Sequence, residues 1–76
     1  MVQQHKLVQL NSIEAYVESG TKAGLASKRH DAANSAFHSD WARRAIAMEA
    51  PEYRHVARKA FDDAYRAVAT PTLAPY

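Results

Sequence analysis

His30, Asn34 and His38 stand at spacings of four residues with Asp31 beside them, a grouping of nitrogen and oxygen donors of the kind that binds metal ions. On a helix the two imidazoles would lie two turns apart, about 12 Å along the axis at 1.5 Å per residue, so one ion cannot join them. A metal would need His38 together with His55 or a second subunit, and the usual two-histidine spacings are missing. The edge therefore reads as polar groups rimming a helix interface, which histidine's titration near neutrality would make sensitive to pH. Other means of catalysis are scarce. Glu14 and Glu18 are four apart, the spacing of a solvated helix face, and the five serines are scattered with no histidine and acid in a recognisable order. There is no cysteine and no glycine-rich loop. An enzyme is not expected, and no cofactor or catalytic metal is implied.

Binding chemistry is better represented. Lys22, Lys28, Arg29 and His30 form a run without an acid, and they define the alternative reading as a small basic nucleic-acid-binding protein. Against it, ten basic residues face eight acidic ones for a net charge of +2, and Asp31, Asp40, Glu49, Glu52, Asp62 and Asp63 are interleaved among the later cations. No helix-turn-helix pattern with a polar recognition helix is legible. Trp41, the one tryptophan, is flanked by Asp40, Arg43 and Arg44. Its helical phase places it first in the core and second as a binding anchor, since Trp, Tyr and Arg dominate interface hot spots. Arg44 falls on the apolar arc itself, where it must snorkel outward or meet a carboxylate across an interface.

The elements that must position these groups are helical. Two alanine-studded amphipathic segments, Leu25 to Met48 and Glu52 to Ala69, meet at Glu49-Ala50-Pro51, which reads as the tip of a helical hairpin. Ala50 before a proline is pushed out of the helical region, while Pro51 suits the first turn of the next helix. Upstream, Asn11 with Glu14 is a capping-box-like pair, although the spacing of Leu10, Ile13 and Val17 also allows a start near Gln3. Ser19-Gly20-Thr21 and Gly24 are poor helix interior residues, so a break is expected at 19 to 22 with Thr21 capping the following helix. In the second segment Ala26, Ala33, Phe37, Trp41, Ala45 and Met48 share one arc and are expected to form the main core stripe. Leu25, Ala32, Ala36, Ser39 and Ile46 make a second stripe of mostly small side chains, suited to close helix approach. The third segment gathers Tyr53, Val56, Ala57, Ala60, Phe61, Ala64, Tyr65, Ala67 and Val68 on a broad apolar face. Its outer face offers Asp62 to Arg66 and Lys59 to Asp63 as four-residue pairs. Thr70-Pro71 ends the helix, and residues 71–76 read as an extended tail.

Composition limits what these helices can build. Of the 36 hydrophobic residues among 76, 16 are alanine, and Leu, Ile, Val and Phe number only 13. A chain this short buries about 60% of its surface at best, and one so poor in large apolar groups is commonly completed by a copy of itself or a partner. Nothing approaches the 18 consecutive apolar residues of a membrane span, and the amino terminus lacks a signal-peptide core, so a cytoplasmic protein is expected. Two alanine- and aromatic-rich helices joined at a proline resemble one tetratricopeptide unit, but no 34-residue self-similarity exists and about three units are needed for stability. In size, composition and lack of motifs the chain also resembles the small helical proteins with which bacteriophages block host proteins, a likeness that transfers no residues.

The sequence thus predicts an all-α protein of two to three helices, with residues 1–70 as one domain dominated by the antiparallel hairpin of the second and third segments, completed by dimerisation or a partner. Its expected function is a protein-protein interaction module, an inhibitor or adaptor that occludes a larger host protein. The expected contacts are Trp41, Arg43, Arg44, Ala36, Ile46, Tyr65 and Tyr76, with Lys22, Lys28 and Arg29 serving the nucleic-acid alternative. A second alternative is a structural subunit of an assembly. No membrane and no small-molecule substrate is implied.

Overall fold

A computed structural model describes residues 9–69, which form three helices, α1 (Ile13–Lys28), α2 (Ala32–Met48) and α3 (Pro51–Ala69), with no strand among the described residues. The all-α class read from the sequence is therefore correct. The packing order is not the one expected. α1 lies between the other two helices and makes most of the contacts with each, whereas α2 and α3 touch only sparsely. The turn at Glu49-Ala50-Pro51 joins two helices that splay apart onto α1, so the dominant pairing is through α1 and not within an α2–α3 hairpin.

α1 starts one residue later than the Asn11 reading and well after the Gln3 one. Ser12, in extended backbone, is the N-cap, and its hydroxyl accepts from the Ala15 amide at 3.2 Å. Residues 9–12 are not helical, and residues 1–8 lie outside those described. The helix then runs without a break through Ser19-Gly20-Thr21, so Thr21 caps nothing. The glycines are there for packing: a Cβ on Gly20 would collide with the Phe61 carbonyl oxygen and stand 3.0 Å from the Ala64 Cβ. A Cβ on Gly24 would lie 2.9 Å from the Tyr65 oxygen and 3.0 Å from the Val68 Cβ. Two missing side chains, one turn apart, let the α3 backbone seat directly on α1, which outweighs the intrinsic cost of glycine in a helix. The close approach of helices through small residues thus occurs between α1 and α3.

The expected boundary at 19 to 22 falls instead at residues 29–31. His30 has φ 62, the left-handed conformation, with its amide donating to the Ser27 oxygen at 3.0 Å and the Asp31 amide to the Ala26 oxygen at 2.8 Å. This Schellman pattern satisfies the last carbonyls of α1. Asp31 then caps α2, accepting from the Asn34 amide at 3.2 Å and from its side-chain nitrogen at 2.7 Å. α2 ends at Glu49 in extended backbone, and the Ala50 carbonyl opens α3 by accepting from Tyr53 at 2.8 Å and Arg54 at 3.0 Å. Pro51 occupies the first helical position, as its missing N–H favours. Residues 70–76, including the tail expected at 71–76, lie outside the described residues.

The core is small and built around two tyrosines. Tyr16, Ala42, Ile46, Tyr53 and Ala57 are buried together, with Ile13, Ala45, Ala60 and Phe61 packed against them. α2 faces α1 through Ala42 and Ile46; of the stripe expected to be the core, Ala26 of α1 is buried and Ala45 packs against the cluster, whereas Phe37 is 65%, Trp41 37% and Met48 73% exposed. Alanine, not an aromatic, sits at the contact because the shorter side chain lets α2 approach α1 while Tyr16 fills the volume. Ser19 joins the same contact by donating its hydroxyl to the His38 carbonyl at 3.0 Å. On α3, Tyr53 and Ala57 are buried and Val56 is 45% exposed, so the broad apolar face expected there is narrower at its start. Its outer pairs are Lys59–Asp63 at 2.8 Å, as expected, and Arg66 with Asp63 at 3.5 Å in place of Asp62.

Gly20→Ala is expected to destabilise the protein by about 1–3 kcal/mol through overpacking, although alanine is worth about 1 kcal/mol more than glycine in a helix. Urea denaturation followed by circular dichroism checks the sign; stabilisation would mean that α1 and α3 are not in close contact at this point.

Candidate functional site

Two features stand out when the side chains are placed on this frame: a buried carboxylate at the α2–α3 junction, and an open apolar groove beside it. Glu49 is 1% exposed. Its carboxylate accepts from the Leu10 amide at 3.0 Å, the Asn11 amide at 3.0 Å and the Tyr16 hydroxyl at 2.6 Å. The Tyr53 hydroxyl completes the junction by donating to the Asn11 carbonyl at 3.2 Å, and Arg54 Nε donates to the Glu49 carbonyl at 2.9 Å. The segment leading into α1 is thereby pinned to the turn between α2 and α3. Burial acts to raise the Glu49 pKa, but the hydrogen bonds from Tyr16, Leu10 and Asn11 outweigh it and hold the carboxyl below its ordinary 4.5. Burial pushes the Tyr16 hydroxyl up to about 12, helped by the hydrogen bond to Glu49. The carboxylate, 1% exposed and engaged by three donors of its own chain, is closed to a substrate; this cluster holds the fold.

The groove is lined by Leu10 and Asn11 from the pinned segment and by Phe37, Asp40, Trp41, Arg44, Ala45 and Met48 of α2, around a volume of about 560 Å³. Four of its side chains are large, apolar and open: Leu10 at 53%, Phe37 at 65%, Trp41 at 37% and Met48 at 73% exposure. Trp41 forms the floor, its ring 5.6 Å from that of Tyr16, so the groove rests on the Glu49 cluster. At 100° per residue, Phe37, Trp41, Arg44 and Met48 fall within an arc of roughly 60° on α2. Arg44 is exposed, and among the described residues no carboxylate lies within ion-pair distance of it.

The remaining residues named from the sequence are dispersed. Arg43 is exposed and turned to Asp40 at 2.9 Å. Ala36 is exposed at the other end of α2, beside His30 and the α1–α2 turn. Ile46 is 4% exposed and belongs to the core, so it presents no binding surface. Tyr65 stacks on Phe61 at 6.2 Å, near Ser39, away from the Trp41 groove. Tyr76 lies outside the described residues. Of the basic residues, Lys22 is paired with Glu18 at 2.9 Å, while Lys28 and Arg29 are exposed at the end of α1. The His30, Asn34 and His38 edge is taken up by helix ends: His30 closes α1 and Asn34 binds the cap Asp31, whose carboxyl this bond holds below its ordinary range. The His38 ring lies edge-on to Phe37 at 5.1 Å. No three histidine, aspartate or glutamate side chains converge among the described residues.

Leu10, Phe37 and Met48 were missed as surface groups. The signal was present in α2, where positions 37, 41, 44 and 48 alternate in steps of four and three, the period of a helix-packing seam. No helix among the described residues is long and apolar enough to cross a membrane. No family model, curated protein or solved structure matches the chain.

Glu49→Gln is expected to cost about 2–3 kcal/mol, because a neutral amide leaves a buried donor unpaired and weakens the rest. The carboxylate's contribution is present above pH 4.5 and lost as pH falls through its depressed folded value, whereas that of Tyr16 is present below pH 10 and lost as pH rises toward about 12. Urea midpoints measured across pH should therefore fall at both ends for the native chain, with the acid limb flattened in Glu49→Gln; parallel acid limbs would remove Glu49 from this role.

Proposed function

We propose that this protein is a protein-binding module that acts as an inhibitor or adaptor, seating the apolar face of α2 on a larger protein. The observation that carries the reading is the collection of Leu10, Phe37, Trp41 and Met48, four large exposed apolar side chains, around one groove. Leaving such groups in water forgoes about 25 cal/mol for each Å² that a partner would cover. A tryptophan beside an arginine that no carboxylate pairs among the described residues is the composition of an interface hot spot. The groove has a supported floor: Trp41 rests on Tyr16, and Tyr16 is bonded to Glu49.

Capture from a lysate of the native cell, with nuclease added, tests this reading. Trp41→Ala and Arg44→Glu should each reduce recovery of the same partner by tenfold or more, the loss expected on removing a hot-spot residue of about 1.4 kcal/mol or above, while both variants retain native helicity. Undiminished capture by both would place the binding surface elsewhere. Capture that depends on Lys28 and Arg29, and is recovered only when nuclease is left out, would replace it with nucleic-acid binding.

A further inference from the structure

The exposed stripe of α2 has an internal symmetry. Its positions, 37, 41, 44 and 48, are separated by four, three and four residues, so the stripe reads the same in both directions along the helix. We propose that α2 pairs antiparallel with α2 of a second copy about a two-fold axis between positions 42 and 43. This inference rests on the reading of the α2 face as a protein-binding surface: a second copy fills that face in the free protein and must leave it before a larger partner binds there.

In that arrangement Phe37 meets Met48 of the second copy, and Trp41 meets its Arg44, each pair occurring twice, as an isologous interface requires. Both pairs are chemically matched. A thioether packs well against an aromatic ring, and a guanidinium is attracted to the face of an indole. Arg44, which no carboxylate of its own chain neutralises among the described residues, arrives on Trp41 of the other copy, beside an Asp40 already paired with Arg43. A parallel, in-register pair would set Arg44 directly against Arg44 in an apolar seam, whereas the antiparallel pair offsets the two by three residues, about 4.5 Å along the axis, and gives each a ring. The steps of four and three are those of a left-handed helix pair, in which antiparallel partners place such unlike positions opposite one another. Leu10, 53% exposed and lining the groove with Met48, covers the outer edge of the incoming Phe37.

The chain contains no cysteine, so introduced thiols report pairing without interference. Sedimentation velocity of the full chain over a dilution series is expected to reach twice the 8.5 kDa monomer mass, and Trp41→Ala with Arg44→Glu should return it to the monomer with helicity unchanged. Under mild oxidation, Phe37→Cys mixed with isotopically labelled Met48→Cys should give a mixed disulfide, while each variant alone should not cross-link. Two copies of position 37 would stand about 16 Å apart along the seam, beyond the roughly 7 Å between Cα atoms that a disulfide spans. Monomer mass at the highest concentration overturns the inference, as do like-with-like disulfides or a dimer indifferent to the Trp41 and Arg44 changes. A monomer whose capture of a larger partner still depends on Trp41 and Arg44 would remove the dimer and leave the protein-binding reading standing.

Discussion

The Glu49 carboxylate ties the junction of α2 with α3 to residues 33 to 39 positions earlier in the chain: the segment entering α1 and the first turn of α1 at Tyr16. A carboxylate taken out of water is costly unless it is hydrogen-bonded, and here two backbone amides and a phenol donate to it. The arrangement orders residues that no helix would otherwise hold. Leu10 and Asn11 precede the cap of α1, so their amides would face solvent without Glu49. With it, they fix the position of Leu10 at the groove and of the Asn11 carbonyl beneath Tyr53. The chain's shortage of large aliphatic groups is offset in this way, by polar closure of a core whose bulk comes from Tyr16 and Tyr53.

α1 is the second organising element. Its glycines admit α3, its Ser19 hydroxyl reaches the α2 backbone, and its Tyr16 carries both the Glu49 bond and the Trp41 ring. Because α1 fills the contact with Tyr16, the face of α2 buried against it is Ala42 and Ile46. The large residues of α2 are left on another face. The open groove is therefore a consequence of how the core is solved with alanine, and the same residues that the core does not use are those available for a partner.

The helical class, Pro51 at the start of α3 and the Lys59–Asp63 pair were legible because each depends on neighbours within one turn of helix. Three features were not. Gly20 and Gly24 look like breaks by intrinsic propensity, and only the α3 backbone against them reveals why glycine is retained. The end of α1 is hidden because its left-handed residue is His30 where glycine would be the usual signal. The inner face of α2 is hidden because size favours Phe37, Trp41 and Met48 for the core, whereas packing against Tyr16 places Ala42 and Ile46 there. Glu49 in isolation resembles a solvated charge at a turn, since its partners are 33 to 39 residues away. Of the groove, Trp41 and Arg44 were legible from composition and phase, and Leu10, Phe37 and Met48 were not assigned to it.

Amide hydrogen exchange at Leu10 and Asn11 tests the central role of Glu49 most directly. Both lie outside any helix, so protection there has no secondary-structure origin. Exchange slowed to the rate of the core amides of α1, and lost on acidification through the Glu49 titration, is the predicted result. Exchange at the rate of an unstructured segment while α1 stays protected would contradict the account.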